Sequence, residues 1–548
     1  MSFGPHPTSP EVRSHKDGRE VEWQLASTDL ASVRRWLDDH GTVEGLVLEP
    51  RPTLKIFDTY FDTDDWRIHR AGFALRIRSE DGKSEATLKS LRSNSAEMAD
   101  RRELSETLES TESESMARST GPVGTRVHAV SGAHPLQPLF EVHTSRQRYA
   151  VHAANDEKPL GEIALDETVI SRPHGQPQTS IQRVEVEALT DAHEPLQALV
   201  KALRSVCSLE SASDSKFTLG LKSVGLAPAT PPELAPNAVN ASMRVDEVAL
   251  ANLRRYLSVW DLHEPGARLG DDPEELHDLR VAGRRLDAIL RQFGTYLPAG
   301  LVRTRPTLKK ILRALGEARD LDVALLELDA FNRALSEADQ AKLEPLEQHL
   351  RSERARSRTR MLSLLDSSAV QKDLDELRLE LAQPSDLTEG PEAPALEVVP
   401  ELIRTRYKKV RKGADGLTPA SPTESYHAVR GNVKKLRYVL ESVAVIFGKP
   451  ATAMLRSLRR WQERLGMQQD AVVAGGRLRA LAAKPPKGLP PEALFLMGRL
   501  AAHYADRASK ARKRHPRAYR KVRGRWKALK SRLEEVTPGV SHLPSSGP

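Results

Sequence analysis

The amino-acid sequence predicts an α+β multidomain protein, with an antiparallel β half over residues 17–225, a linker over 226–239 and an all-α half over 240–535. Three observations predict it. Before the linker, short segments alternate apolar and polar residues and are separated by turn residues, which is the period of half-buried strands. From Leu226 to Asn237 the chain holds four prolines and no periodicity, the composition of a semi-rigid spacer. After it the apolar spacing becomes helical, and one signature occurs twice.

The signature is His277-Asp278-Leu279-Arg280, then Arg284-Arg285-Leu286, then Leu315-Gly316 and Asp320. It recurs as His427-Ala428-Val429-Arg430, Lys434-Lys435-Leu436, Leu465-Gly466 and Asp470, always about 150 residues on. Two copies of one unit follow, over about 240–382 and 396–535, with a break at 383–395. A second break, Lys484 to Pro491, interrupts the last helices.

Length and composition narrow the class. A chain of 548 residues suffices for about three units of ordinary domain size, each burying its own core. One cysteine, Cys207, excludes a disulfide framework and a cysteine-rich zinc site, and fits a reducing cytosol. The first residues lack an apolar signal core, and no later stretch has the eighteen or so uninterrupted apolar residues of a membrane span. The expectation is a cytoplasmic protein with no membrane contact and no obligate protein partner. The net charge of +8 conceals an asymmetry: residues 1–225 carry 27 Lys+Arg against 35 Asp+Glu, leaving 56 against 40 in the remainder. A basic half attracts polyanions, whether nucleic acid, anionic lipid or polyphosphate.

In the β half, Glu20, Glu22 and Gln24 share one strand face and Val21, Trp23 and Leu25 the other. Arg76 and Arg78 alternate with Leu75 and Ile77, Thr87 and Lys89 flank Leu88, Glu162 and Asp166 alternate with Ile163 and Leu165, and Arg183, Glu185 and Glu187 alternate with Val184 and Val186. Singly, each is an ordinary strand with a solvated face. Together, in a sheet closed with these faces inward, they gather acids and bases in one lumen. Carboxylates there suit Mg²⁺ or Mn²⁺, and Arg and Lys suit the oxygens of a phosphate chain. Residues 92–120, rich in Ser and Glu, read as loop on either side of a short strand.

Glu20-Val21-Glu22, Tyr60-Phe61-Asp62-Thr63, Leu75-Arg76-Ile77-Arg78, Thr87-Leu88-Lys89, Arg102-Glu103, Glu162 to Asp166, Glu185-Val186-Glu187 and Ser215-Lys216-Phe217, in that order, resemble the motifs of the CYTH domain, the triphosphate tunnel metalloenzymes. The resemblance implies an eight-stranded antiparallel β tunnel barrel and divalent-metal-dependent hydrolysis of inorganic tripolyphosphate, a nucleoside triphosphate or thiamine triphosphate, with adenylate cyclase activity in some members. It implies that Glu20, Glu22, Glu185 and Glu187, joined by Asp166, bind metal or orient water, and that Arg76, Arg78, Lys89, Arg146 and Lys216 bind phosphate. Glu20, Glu22, Arg76, Arg78 and Lys89 are then the expected catalytic set. Two positions depart from the family pattern: Gln24 stands where a lysine belongs, and Ser105 where a second acid is usual.

In the helical half, Leu279, Gly283, Leu286, Leu290 and Phe293 form an apolar stripe, matched by Val429, Val433, Leu436, Leu440 and Val443. Beside it His277, Arg280 and Arg284 share a face, as do His427, Arg430 and Lys434. The Leu-Gly pairs read as close helix approaches, with Asp320 and Asp470 orienting a base or capping a helix.

This half resembles the CHAD domain, on His277 to Leu286, Leu315 to Val323 and Lys434 to Tyr438. The resemblance implies two pseudo-repeated four-helix bundles whose basic surface binds inorganic polyphosphate, and an association with polyphosphate granules. Arg280, Arg284, Arg285, Arg430, Lys434, Lys435 and Arg437 are the expected phosphate contacts, assisted by His277 and His427 with a pH-sensitive charge. The basic tail from Arg507 to Arg532 carries two rings, Tyr519 and Trp526, a thin platform for bases. Nucleic acid therefore ranks below polyphosphate, and the expected function is metal-dependent hydrolysis of a triphosphate or short-chain polyphosphate in the β half, with polyphosphate binding by the helical half. The alternative is a non-catalytic polyphosphate-binding protein with a tunnel weakened at Gln24.

Overall fold

The structure, a computed structural model, describes residues 15–91, 99–154, 156, 158–190, 193–228, 234, 237–383, 393–486 and 488–536, with side chains for all but 15–20 and 99–102. The chain divides into two compact units, Met1–Pro231 and Pro232–Pro548. Two units stand where chain length suggested three, because the repeat copies share their cores.

The first unit is a closed antiparallel sheet. Its strands are β1 (His15–Ala26), β2 (Thr42–Val43), β3 (Leu46–Asp62), β4 (Phe73–Glu80), β5 (Lys83–Ser90), β6 (Ala99–Leu108), β7 (Gln137–Ala153), β8 (Pro159–Ser171), β9 (Pro177–Ala188) and β10 (Glu210–Ser211). The order β1-β6-β5-β4-β3-β7-β8-β9 returns to β1, so the eight long strands form a barrel; the two-residue strands β2 and β10 only extend β3 and β1. Helices α1 (Leu30–Asp39), α2 (Arg67–Arg70), α3 (Ser113–Arg118), α4 (Pro122–Ser131), α5 (His193–Cys207) and α6 (Lys216–Ser223) surround it.

Strand alternation decides which side is wet. Trp23, Leu25, Val184 and Val186 point outward and are buried with Leu30, Val33 and Leu37 of α1 and Leu196, Leu199 and Leu203 of α5. The apolar core thus lies outside the barrel, and the charged faces line the inside. The segment read as loop after β6 is different: it holds α3, and α4 follows directly after it. The buried Glu106 carboxylate accepts from the amides of Val123 (2.8 Å) and Gly124 (3.3 Å), satisfying donors at the start of α4 that Ser/Glu-rich composition does not reveal. Residues 92–98 lie outside the described residues.

The second unit is helical: α7 (Val245–Leu269), α8 (Pro273–Gln292), α9 (Ala299–Arg303), α10 (Arg305–Asn332), α11 (Glu337–Leu365), α12 (Ser368–Ala382), α13 (Ala395–Asp415), α14 (Thr423–Ala483) and α15 (Pro491–Glu535). Gly448, at φ 65°, breaks α14 into two helices, a backbone conformation that glycine adopts without a Cβ penalty. So α13, the two halves of α14 and α15 repeat α7, α8, α10 and α11 as a second four-helix bundle. Both predicted stripes are buried throughout, and burial classes over 311–320 and 461–470 agree residue by residue.

Helices from both copies meet in one large core, and a second joins Leu321, Leu328 and Leu346 to Leu478, Leu496 and Leu500. Among the described residues one helix, α14, is long and apolar enough to cross a membrane. Its apolar side chains Val433, Leu436, Leu440, Val443 and Phe447 are bundle core instead.

Candidate functional site

The barrel encloses a cavity of ≈ 240 Å³ whose wall is mostly charged. Cross-strand register builds one acidic row, since Glu22 on β1 pairs with Glu187 on β9, which pairs with Glu162 on β8. All three line the cavity. Burial pushes the Glu162 carboxyl up, against the pull of Arg148 and Arg146. Glu162 belongs to this row although sequence reasoning gave it no role, because its neighbours are set by the register of three strands. The side chain of Glu20 lies outside the described residues.

The cations stand on the other walls. Arg78 makes a two-pronged bond to Asp58 (2.8 and 3.0 Å), and Arg76 lies 3.8 Å from both Asp58 and Glu103. Burial would raise the Asp58 carboxyl, but Arg76 and Arg78 more than offset it and hold it below the usual range. Lys89 reaches Glu22 at 3.1 Å and Glu103 at 3.9 Å. Arg146 grips Asp166 through Nε and Nη2, both at 2.7 Å, and also Glu185; Lys216 bonds Asp166 and lies 3.1 Å from Glu185.

Asp166 and Glu185 share the same two cations, whereas Glu22 meets Lys89 and Gln24 and Glu162 lies 3.5 Å from Arg148. Asp166 is fully buried beneath its two cations and is not part of the cavity wall. Glu185 does line the cavity, and Lys216 and Arg146 outweigh its burial and hold it far below the usual carboxylate range. Asp166 and Glu185 hold Arg146 and Lys216 in place, whereas Glu22, Glu187 and Glu162 form a cross-strand row of carboxylates on the cavity wall.

The two departures have structural accounts. Gln24 donates from Nε2 to Glu22 Oε1 (2.9 Å) and accepts from Arg183 Nη1 at its own Oε1 (3.1 Å). Arg183, only 3% exposed, therefore fixes which way the Gln24 amide faces, and Gln24 in turn holds Glu22. Position 24 itself brings no charge to the cavity; the buried Arg183, two residues before Glu185, stands behind its amide. Ser105 is buried with its hydroxyl 3.2 Å from that of Thr87, which in turn lies 3.4 Å from Arg76 Nη2.

In the helical unit the two signatures converge. A Cβ placed on Gly316 would lie 3.4 Å from Arg280 Nη2, and one on Gly466 would lie 3.8 Å from Arg430 Nη2. A Cβ on either glycine would thus stand in ordinary van der Waals contact with the arginine, which places Arg280 beside Gly316 and Arg430 beside Gly466. The Nε atoms of Arg280 and Arg430 are buried without a hydrogen-bond partner among the described residues. Asp320 and Asp470 both act on Arg280 through space, so acids of both copies reach the same cluster. His277 is half-buried and His427 exposed.

Two of the other expected contacts, Arg285 and Lys435, lead away from this centre, and Arg437 faces both the centre and Glu441. Arg285 and Arg437 lie 3.4 and 3.7 Å from the carboxylate of Glu441. Lys435 faces Arg291, Arg406 and Lys409. Lys434 stays central, among Arg284, Arg430, Arg280 and Arg437; burial and their repulsion bring its ammonium down to about 7.

A bound polyanion would restore that proton, which sets a sign. Polyanion binding to this cluster should tighten as pH falls through about 7 and level off about one unit below it. Calorimetry across this range checks it; a Lys434→Met variant that keeps the full slope would show that another group carries it.

Known proteins are similar to this chain in two places. The CYTH domain family model matches residues 49–218, and the CHAD domain family model matches residues 251–479. Among solved structures, a CHAD domain from the plant Ricinus communis is 25% identical, with a TM-score of 0.43, over 55% of this chain and 96% of that one. PptA from Streptomyces chartreusis is 19% identical, with a TM-score of 0.40, over 51% and 100%. A Hippeastrum protein described as revealing a dominant triphosphatase activity is 18% identical, with a TM-score of 0.29, over 38% and 97%. No curated protein sequence matches the chain.

Proposed function

Because the chain carries a CYTH domain, the fold of the metal-dependent triphosphate tunnel enzymes, followed by a CHAD domain, we propose that it hydrolyses a triphosphate or short-chain inorganic polyphosphate in its barrel and holds inorganic polyphosphate on its helical unit. The observation that carries the first part is the charged lumen itself: a cross-strand row of carboxylates on β1, β9 and β8 shares one cavity with cations from β4, β5, β7 and α6. A chain of phosphates bridged to a divalent cation has the complementary pattern.

Glu22, Glu187 and Glu162 would hold Mg²⁺ or Mn²⁺, with Glu20 adjoining them on β1. When bound, the metal supplies charge neutralisation at the phosphoryl oxygens and orients the attacking water. Arg76, Arg78, Lys89, Arg146 and Lys216 take the non-bridging oxygens of the substrate and the charge that builds on the leaving phosphate. Gln24 and Lys89 keep Glu22 in one rotamer, so less ordering is left for the moment of reaction.

One observation favours a second reading, a tunnel that grips a polyphosphate end without cutting it. Gln24 spends both ends of its amide on Glu22 and Arg183 and brings no charge of its own to the substrate. Orthophosphate release from tripolyphosphate, with and without Mg²⁺ or Mn²⁺, separates the two. Release that requires the metal is expected; tight binding with no release selects the gripping tunnel. A helical unit that holds polyphosphate would keep the chain on polyphosphate granules in the cytoplasm.

A further inference from the structure

The repeat lets each position of the helical unit be compared with its counterpart 150 residues away, and one pair of sites is not alike. On one side Glu441, its side chain 6% exposed, lies 3.4 Å from Arg285, 3.7 Å from Arg437 and 3.0 Å from Arg459. The Arg285 guanidinium also lies 5.2 Å from the centre of the Tyr256 ring. This side is a structural contact between α8, α14 and α7 in which three guanidinium groups share one carboxylate.

At the same offset, Glu441 corresponds to Arg291, Arg285 to Lys435, Tyr256 to Arg406 and Val259 to Lys409. The acid has become a base, and the ring and the valine have become bases too. Arg437 corresponds to Asp287, so an acid does stand on this side, but Arg305 Nε occupies it at 2.8 Å. The charged groups acting on Lys435 are Arg291, Arg406 and Lys409, and all are cations. Arg406 Nε is buried without a hydrogen-bond partner among the described residues, while Arg291 and Lys409 are exposed and can be reached from solvent.

We propose that Lys435, Arg291, Arg406 and Lys409 form a second phosphate-chain site on one side only of the helical unit, into which a long inorganic polyphosphate runs from the central Arg280/Arg430 cluster. Like charges gathered without an acid oppose folding unless a ligand repays them, and a phosphate chain supplies closely spaced oxygens. Glu441 closes the opposite side to the same ligand, so the chain has one exit. The inference rests on the reading that the helical unit takes polyphosphate, and adds where the chain goes.

The test uses the full chain with long-chain polyphosphate, tripolyphosphate and single-stranded DNA of matched charge as probes. Lys435→Ala/Arg291→Ala should weaken long-chain binding about fivefold or more beyond a charge-matched control, Arg351→Ala/Arg356→Ala, and leave tripolyphosphate binding unchanged. Glu441→Gln should tighten long-chain binding by releasing the arginines it holds. A double variant no worse than the control, an equal loss for tripolyphosphate, or DNA binding as tightly as polyphosphate would each overturn the one-sided site. Failure of the unmutated chain to bind long-chain polyphosphate would instead remove the reading beneath it.

Discussion

Glu22→Gln/Glu187→Gln should lower metal-dependent phosphate release from tripolyphosphate by about a thousandfold or more, the scale expected when the groups that hold a catalytic metal are lost. The two carboxylates are paired across β1 and β9 and line the cavity, so together they are the centre of the acidic row. Glutamine keeps their shape and hydrogen-bonding reach, and the contact to Lys89 survives as a neutral one. The barrel core lies outside under α1 and α5, untouched by either change, so the melting temperature should move by only a few degrees. The loss should appear mainly in kcat, because the cations on the other walls still bind the substrate. Release within tenfold of the unmutated chain would mean that the metal sits elsewhere, or that the barrel does not cut.

Glutamine at position 24 makes a complementary point about what a strand's residues can reveal. Period-two alternation was sufficient to place Glu22 and Gln24 on one face and Trp23 and Leu25 on the other, and closure of the barrel follows from many such faces at once. What alternation cannot carry is register. Glu162 joins the acidic row, and Arg183 reaches Gln24, only because three particular strands pair at particular residues. Asp166 shares the alternation of Glu162 yet is fully buried under Arg146 and Lys216, four residues farther along the same strand.

The helices show the same limit in another form. Lys434 and Lys435 are adjacent in sequence, but neighbouring helical residues point about 100° apart, and they join different charge clusters. The repeat offset was readable from the sequence; that the arginine at 280 lies beside the glycine at 316 needed the two helices in contact.

Arg280→Ala/Arg430→Ala should weaken long-chain polyphosphate binding by about ten- to a hundredfold and flatten its salt dependence, since two fork-shaped phosphate donors are lost. The sign of the stability change makes this prediction sharper than a loss of charge. Burial and the neighbouring Arg284 press the Arg280 guanidinium down to about 10, and its Nε, like that of Arg430, is buried without a partner. Free of ligand, the fold bears the cost of desolvating these groups and of gathering like charges. Alanine removes both costs. The double variant should therefore melt at the same temperature as the unmutated chain or higher, while added polyphosphate should raise the melting temperature of the unmutated chain far more than that of the variant. Thermal melts with and without long-chain polyphosphate read both effects in one experiment. A destabilised double variant would show that the arginines hold the bundles together, and that the duplicated signature is structural.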